Sequence, residues 1–154
     1  MTWARYALVA ALTAACFTPA IAGDEWDYPN AGRRGVNHVS AGRAGQLRVF
    51  DCETTDRAED VVAWYGMRLG MPSDHGLLVA ASEGFAQLEN DLHVTHGFGH
   101  DTDKRKDHTQ LVAHITKRHA HVTFVHRPDL NTRMAITISI SQTPTGASVH
   151  VIQP

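Results

Sequence analysis

Hydrophobic and polar positions alternate most cleanly in the last third of the chain. In "MAITISIS" Ile136, Ile138 and Ile140 are separated by Thr137, Ser139 and Ser141, the period-two pattern of a strand with one buried and one wetted face. "HAHVTFVH" (119–126) sets Ala120, Val122 and Phe124 against His119, His121 and Thr123. "ASVHVI" sets Val149 and Val151 against His150. The intervening "RPDLN" and "QTPTG" are rich in residues that favour turns. Three strands joined by short turns predict an antiparallel meander.

The pattern changes period in "TTDRAEDVVAWYGMRLGMP" (54–72). Ala58, Val61, Val62, Tyr65 and Leu69 recur at intervals of three and four, which predicts one amphipathic helix over about 56–69. Asp56 and Glu59 have capping-box spacing. Gly70 suits a left-handed C-terminal residue, and Pro72 forbids continuation. Trp64 and Tyr65 read as packing anchors.

Elsewhere the pattern is weaker. "VNHVS" (36–40) and "QLRVFDC" (46–52) predict a strand pair across the permissive "AGRAG", with Leu47 and Val49 on one side and Arg48, Phe50 and Cys52 on the other. "GLLVAAS", "GFAQLEN" and "TQLVAHIT" (109–116) are short apolar runs that fit either a strand or a short helix. "DTDKRKD" (101–107) has no apolar residue and reads as a solvated loop. Residues 23–35, including "DEWDYPNAGRRG", read as a flexible or loosely docked leading segment. A helix with one apolar stripe and a sheet with one apolar face satisfy each other by packing. The expected fold is α+β: one main helix across an antiparallel sheet of four to six strands, forming a single domain over 36–154. The stretches "DVVAWYGMRLG" and "AITISIS", within about residues 46–152, resemble a group of small uncharacterised exported bacterial proteins. That resemblance implies the same fold and transfers no activity and no functional residue.

The first residues refine the setting. "MTWARYALVAALTAACFTPAIAG" has one cation, Arg5, then an apolar run to Phe17, Pro19 and a small-x-small pattern at Ala20-Ile21-Ala22. This is the layout of a secretory signal over 1–22, and the run is shorter than the ~20 residues a membrane span needs. "LTAAC" offers lipidation at Cys16 as the alternative, with Thr13 in place of the usual leucine. The expected setting is a periplasm or cell envelope. No later segment is long and apolar enough for a transmembrane helix. Fourteen Lys and Arg face sixteen Asp and Glu, so no basic surface points to nucleic acid. An envelope protein is the kind of partner the setting suggests. Once the signal is cut Cys52 stands alone, so an exported domain would rely on its core, a metal or a partner rather than an internal disulfide. "VFDCETTD" gives Cys52 no catalytic signature, and Asp51 and Glu53 oppose thiolate formation.

Only the histidines suggest chemistry. There are eleven, most of them between 93 and 126, and neutral imidazole is a favoured ligand for zinc, copper and nickel. His119 and His121 would share one strand face. A third ligand is expected from a loop folding over the outer face of the sheet, the glycine-rich 93–100 stretch with His93, His96 or His100, or from Asp101 or Asp103. His150 would lie two strands away, about 9.5 Å, too far to join them. His96 and His100 have helical zinc spacing, but Gly97 and Gly99 between them weaken a helix. No zinc-finger spacing, phosphate loop, G-x-S-x-G or dinucleotide fingerprint occurs. An enzyme is not indicated, although a metal-bound water would open hydrolysis. The leading expectation is an exported binding or scaffold domain using the polar sheet face of His119, His121, Thr123, Thr137, Ser139 and Ser141. The alternative is a transition-metal-binding protein with His119, His121, His96, His100 and His93 as ligands.

Overall fold

The computed structural model describes residues 25–40, 46–102, 105–130 and 135–154. The expected signal (1–22), Cys16, Asp103 and the turn at 41–45 lie outside the described residues. β1 (Arg33–Ser40) and β2 (Gln46–Thr54) come first. Two helices follow, α1 (Ala58–Arg68) and α2 (Gly76–Glu83), with a 3-10 turn at Phe85–Gln87. The chain then runs through β3 (Leu92–Thr102), β4 (Arg105–Ile115), β5 (Ala120–Arg127), β6 (Ile136–Thr143) and β7 (Gly146–Gln153). Among the described residues the strands form one sheet of seven, ordered β1-β2-β7-β6-β5-β4-β3, antiparallel throughout. The architecture is α+β, with the expected meander as β5-β6-β7.

The sheet exceeds the four to six strands expected because "HVTHGFGHDT", taken as a glycine-rich loop, and "TQLVAHIT" are strands. They form a long hairpin in which Leu92 faces Ile115 and Thr102 faces Arg105. Most of the charged run 101–107 therefore belongs to strand ends rather than to a solvated loop. Its Asp107 is buried. Leu92, Val94 and Phe98 do alternate with His93, Thr95 and Gly97 and pack against the core, but the inward His96 and the glycines at 97 and 99 interrupt the pattern.

One face of the sheet holds the core. Phe50 and Cys52 of β2, Leu111, Ala113 and Ile115 of β4, Val122 and Phe124 of β5, Ile138 and Ile140 of β6, and Val149 and Val151 of β7 are buried together. Val61, Val62 and Tyr65 of α1 and Leu77 and Leu78 of α2 join the same cluster. Placing the helices on this face removes the alternating apolar set from water, the dominant favourable term in folding. The second helix was not assigned from sequence, since "GLLVAAS" fits either period.

The leading segment packs onto the domain through two aromatic side chains. Trp26 and Tyr28 are buried. The Tyr65 hydroxyl donates to the Trp26 carbonyl at 2.8 Å, and the Tyr28 hydroxyl donates to Asp56 at 2.7 Å. Trp64 packs edge-on against Tyr65 and Tyr28, with centroids 4.7 and 5.5 Å apart. The Arg68 guanidinium lies over Trp64 and Trp26, a cation–π arrangement. The expected aromatic anchor is thus present, and its partners come from the segment read as loose.

The capping box does not form. Arg57 is the N-cap of α1 and makes no side-chain cap. Asp56 is instead taken by Asn30 and Tyr28, and those two hydrogen bonds, Asn30 first, hold its carboxyl below the usual range. Glu59 turns across to accept the Phe85 amide at 3.0 Å and the Arg57 guanidinium at 2.9 Å. Burial alone would raise the Glu59 carboxyl, but these hydrogen bonds outweigh it and hold it low. The residue therefore ties α1 to the turn after α2. Gly70, in contrast, has the positive φ of 79° that the sequence predicts at the helix end.

Candidate functional site on the two faces of the sheet

The strand registers sort the histidines onto opposite faces. His93 of β3 faces His114 of β4, and His114 faces His121 of β5. The same row continues through Ser141 of β6 and Ser148 of β7 to Glu53 of β2. These positions alternate with the buried residues, so the row runs along the outer face. No described helix packs there.

The outer face carries its own polar network. The His121 Nδ1 and the Ser141 hydroxyl are 2.8 Å apart, and its Nε2 is 3.4 Å from the Thr123 hydroxyl. Thr123 and Ser139 share a hydrogen bond at 3.2 Å. His150 is paired with Asp51 on β2. Hydroxyls thus engage both ring nitrogens of His121 and fix its orientation.

At the edge of this face the arrangement is different. The rings of His93 and His114 are stacked, with centroids 4.4 Å apart and an interplanar angle of 20°. Asp91, two residues before His93, brings a carboxylate to the same place. One ligand atom from each of Asp91, His93 and His114 lies within 4.8 Å of the others, and all three side chains are exposed.

The inner face holds a separate group. His96 stands opposite buried Leu111 in the register, and its ring is 5.3 Å from that of His75 in the α1–α2 connection. His100 is 3.3 Å through Nδ1 from the Asp107 carboxylate, which also accepts the His100 main-chain N–H at 2.8 Å. The His100 ring packs against Gly70, where an added Cβ would come within 2.6 Å of it. Deeper in, His126 and Thr109 are both buried and joined at 2.9 Å, with Trp26 beside the imidazole. His126 is a structural histidine, and its parity with Ala120, Val122 and Phe124 already marks it as inward.

The five histidines expected to bind metal are therefore divided. His93 and His121 lie on the outer face, His96 and His100 on the inner face. His119 lies in the β4–β5 turn, its N–H and carbonyl bonded to Thr116. It lies just before β5, outside the strand that carries His121. Asp91 and His114 were missed. The parity of Leu111, Ala113 and Ile115 marks His114 as outward once "TQLVAHIT" is read as a strand.

His75 illustrates the cost of a partly desolvated imidazole. Its Nδ1 accepts the Leu77 amide at 3.2 Å and so caps α2. Desolvation, then the neighbouring His96, lowers its pKa from the usual 6.5, while Asp74 opposes the shift. A base with a depressed folded-state pKa stabilises the fold fully above its unfolded pKa, and that stability is lost as pH falls. Protonation also removes the cap acceptor. Stability in urea is expected to decline as pH falls below about 6.5. His75→Asn, which keeps a capping side chain without titrating, is expected to flatten that part of the profile. An unchanged profile would assign the acid sensitivity to other groups.

Comparison with known proteins adds no assignment: no family model matches the chain, and searches of curated proteins and of solved structures return no match.

Proposed function

We propose that this is an exported binding domain that uses the outer face of its sheet as its contact surface. The observation that carries the reading is the asymmetry of the two faces. The inner face packs against the helices and the core, whereas the outer face bears His121–Ser141 and Thr123–Ser139 pairs across β5 and β6 and a His150–Asp51 pair across β7 and β2. Such side chains are held in place before contact, which lowers the ordering cost of binding. The expected partner is a protein of the cell envelope. Export rests on the signal pattern of residues 1–22. Transition-metal binding is the second reading, favoured by the convergence of two imidazoles and a carboxylate at the edge of the same face.

The test is capture from a native envelope extract. Thr123→Arg combined with Ser139→Arg places two bulky cations at the centre of the outer face. Met67→Arg, on the exposed side of α1, serves as the helix-face control. The reading predicts that the double variant loses the captured partner and the Met67 variant keeps it. The reverse result, or no partner captured by any form, would contradict it.

A further inference from the structure

The geometry points to a binding site for a zinc-class divalent ion at the sheet edge, formed by Asp91, His93 and His114. The inference rests on the reading of the outer face as the binding surface and names an ion that this face takes.

The ligand set follows from the pleat. His93 projects from the outer side of β3, and Asp91, in the connection just before Leu92, brings its carboxylate beside it. A directly opposed residue on the neighbouring strand lies within about 4.5–5.5 Å at Cβ, and His114 occupies that position. Local sequence and strand pairing thus bring two nitrogens and one oxygen together without a loop folding over the sheet. The ligand atoms, within 4.8 Å of one another, need to approach by up to about 1.5 Å to reach the separations set by tetrahedral zinc–nitrogen bonds of ~2.0–2.1 Å. The ring lone pairs lie in nearly parallel planes, so one imidazole must also turn about its χ angles to face the shared ion, a motion open to exposed side chains.

The chemistry of the donors also agrees. Two imidazoles and a carboxylate form a mixed nitrogen–oxygen set that suits zinc and its neighbours rather than calcium or magnesium, which prefer all-oxygen sites. The neutral imidazole ring is the form that ligates such an ion. Three protein ligands leave a fourth position open, as in exchangeable or catalytic zinc sites rather than closed structural ones. The position on an edge strand leaves that opening facing solvent and an approaching partner. His121, next in the row, is turned to Ser141 and Thr123 and stands outside the ligand set.

The site is tested by zinc titration of the full chain, without an added histidine tag, followed by calorimetry. The expected result is one equivalent of zinc, with affinity reduced roughly tenfold or more, at least the loss usual for residues that only support a ligand, in each of Asp91→Asn, His93→Ala and His114→Ala. His119→Ala and His96→Ala are expected to bind as the unaltered chain does. Cobalt supplies a second readout: the visible bands of a low-coordinate ion should appear at one equivalent and be lost in His93→Ala and His114→Ala. All three residues are exposed, and far-ultraviolet circular dichroism confirms that the variants fold. Weak binding at several equivalents, insensitive to these changes, overturns the site, as does binding lost in His96→Ala instead. Absence of zinc binding overturns the ion while leaving the outer face as a docking surface, because the Thr123 and Ser139 variants test that reading separately.

Discussion

Tyr65→Ala is expected to destabilise the protein by about 3–5 kcal/mol, the range for truncating a buried aromatic. The ring is fully buried and packs edge-on with Trp64. Its hydroxyl holds the leading segment through the Trp26 carbonyl. Removing it opens a cavity between α1 and the sheet and releases the segment that carries Trp26 and Tyr28. Tyr65→Phe separates the two effects. It keeps the ring and loses only the hydrogen bond, which costs about 1–3 kcal/mol when a buried acceptor is left unmet. Urea unfolding followed by tryptophan fluorescence measures both. Equal losses in the two variants would show that the hydroxyl, not the packing, holds the anchor. A loss below about 1 kcal/mol for Tyr65→Ala would contradict the role given to the aromatic cluster.

Gly146→Ala is the second large effect expected. Gly146 begins β7 at φ 155°, and an added Cβ would lie inside contact distance of the Thr54 carbonyl oxygen and within 2.8 Å of the Thr55 Cα. Both obstacles are backbone at the end of β2, where the chain enters α1, so no side chain can rotate away. Backbone strain of ~1–3 kcal/mol adds to overpacking of ~1–3 kcal/mol, for a combined loss of about 2–6 kcal/mol. Gly76 provides the contrast. It starts α2 with nothing within 4 Å of an added Cβ, so Gly76→Ala is expected to be neutral or stabilising by up to ~1 kcal/mol. Thermal unfolding of the pair checks the ordering. A Gly146→Ala protein as stable as Gly76→Ala would mean that the β6–β7 turn can move away from β2.

The parts of the fold legible in the sequence are those where one physical rule acts alone. Ile136, Ile138 and Ile140 alternate with hydroxyls because β6 lies inside the sheet, covered on one side and wetted on the other, and the predicted inward set is the buried set. The helix stripe was equally plain, and Gly70 ends it as its conformational freedom implies. The β3–β4 hairpin was harder to read because the inward His96 and the glycines at 97 and 99 interrupt the alternation of Leu92, Val94 and Phe98. Gly97 accommodates the His108 ring, and Gly99 the backbone at Asp107. Neither contact has a signature in one dimension.

The candidate site was legible only in its residue type. Histidine density pointed to the 93–126 region, but the strand registers decide which imidazoles meet. His96 and His93, three apart, fall on opposite faces of β3, a separation that a loop reading cannot express. His114 and Asp91 carried no local signal until the pairing of β3 with β4 placed them beside His93. The missing capping box has the same cause: Asp56 and Glu59 fit the local rule, yet Tyr28, Asn30 and Phe85 are the partners they find.

Histidine ring resonances followed by nuclear magnetic resonance during zinc titration test most directly whether the outer face is the working face. The account predicts that the His93 and His114 rings shift together in the first equivalent while those of His75, His96 and His100 stay unmoved. First shifts at His96 and His100 would place the ligand on the inner face and contradict it.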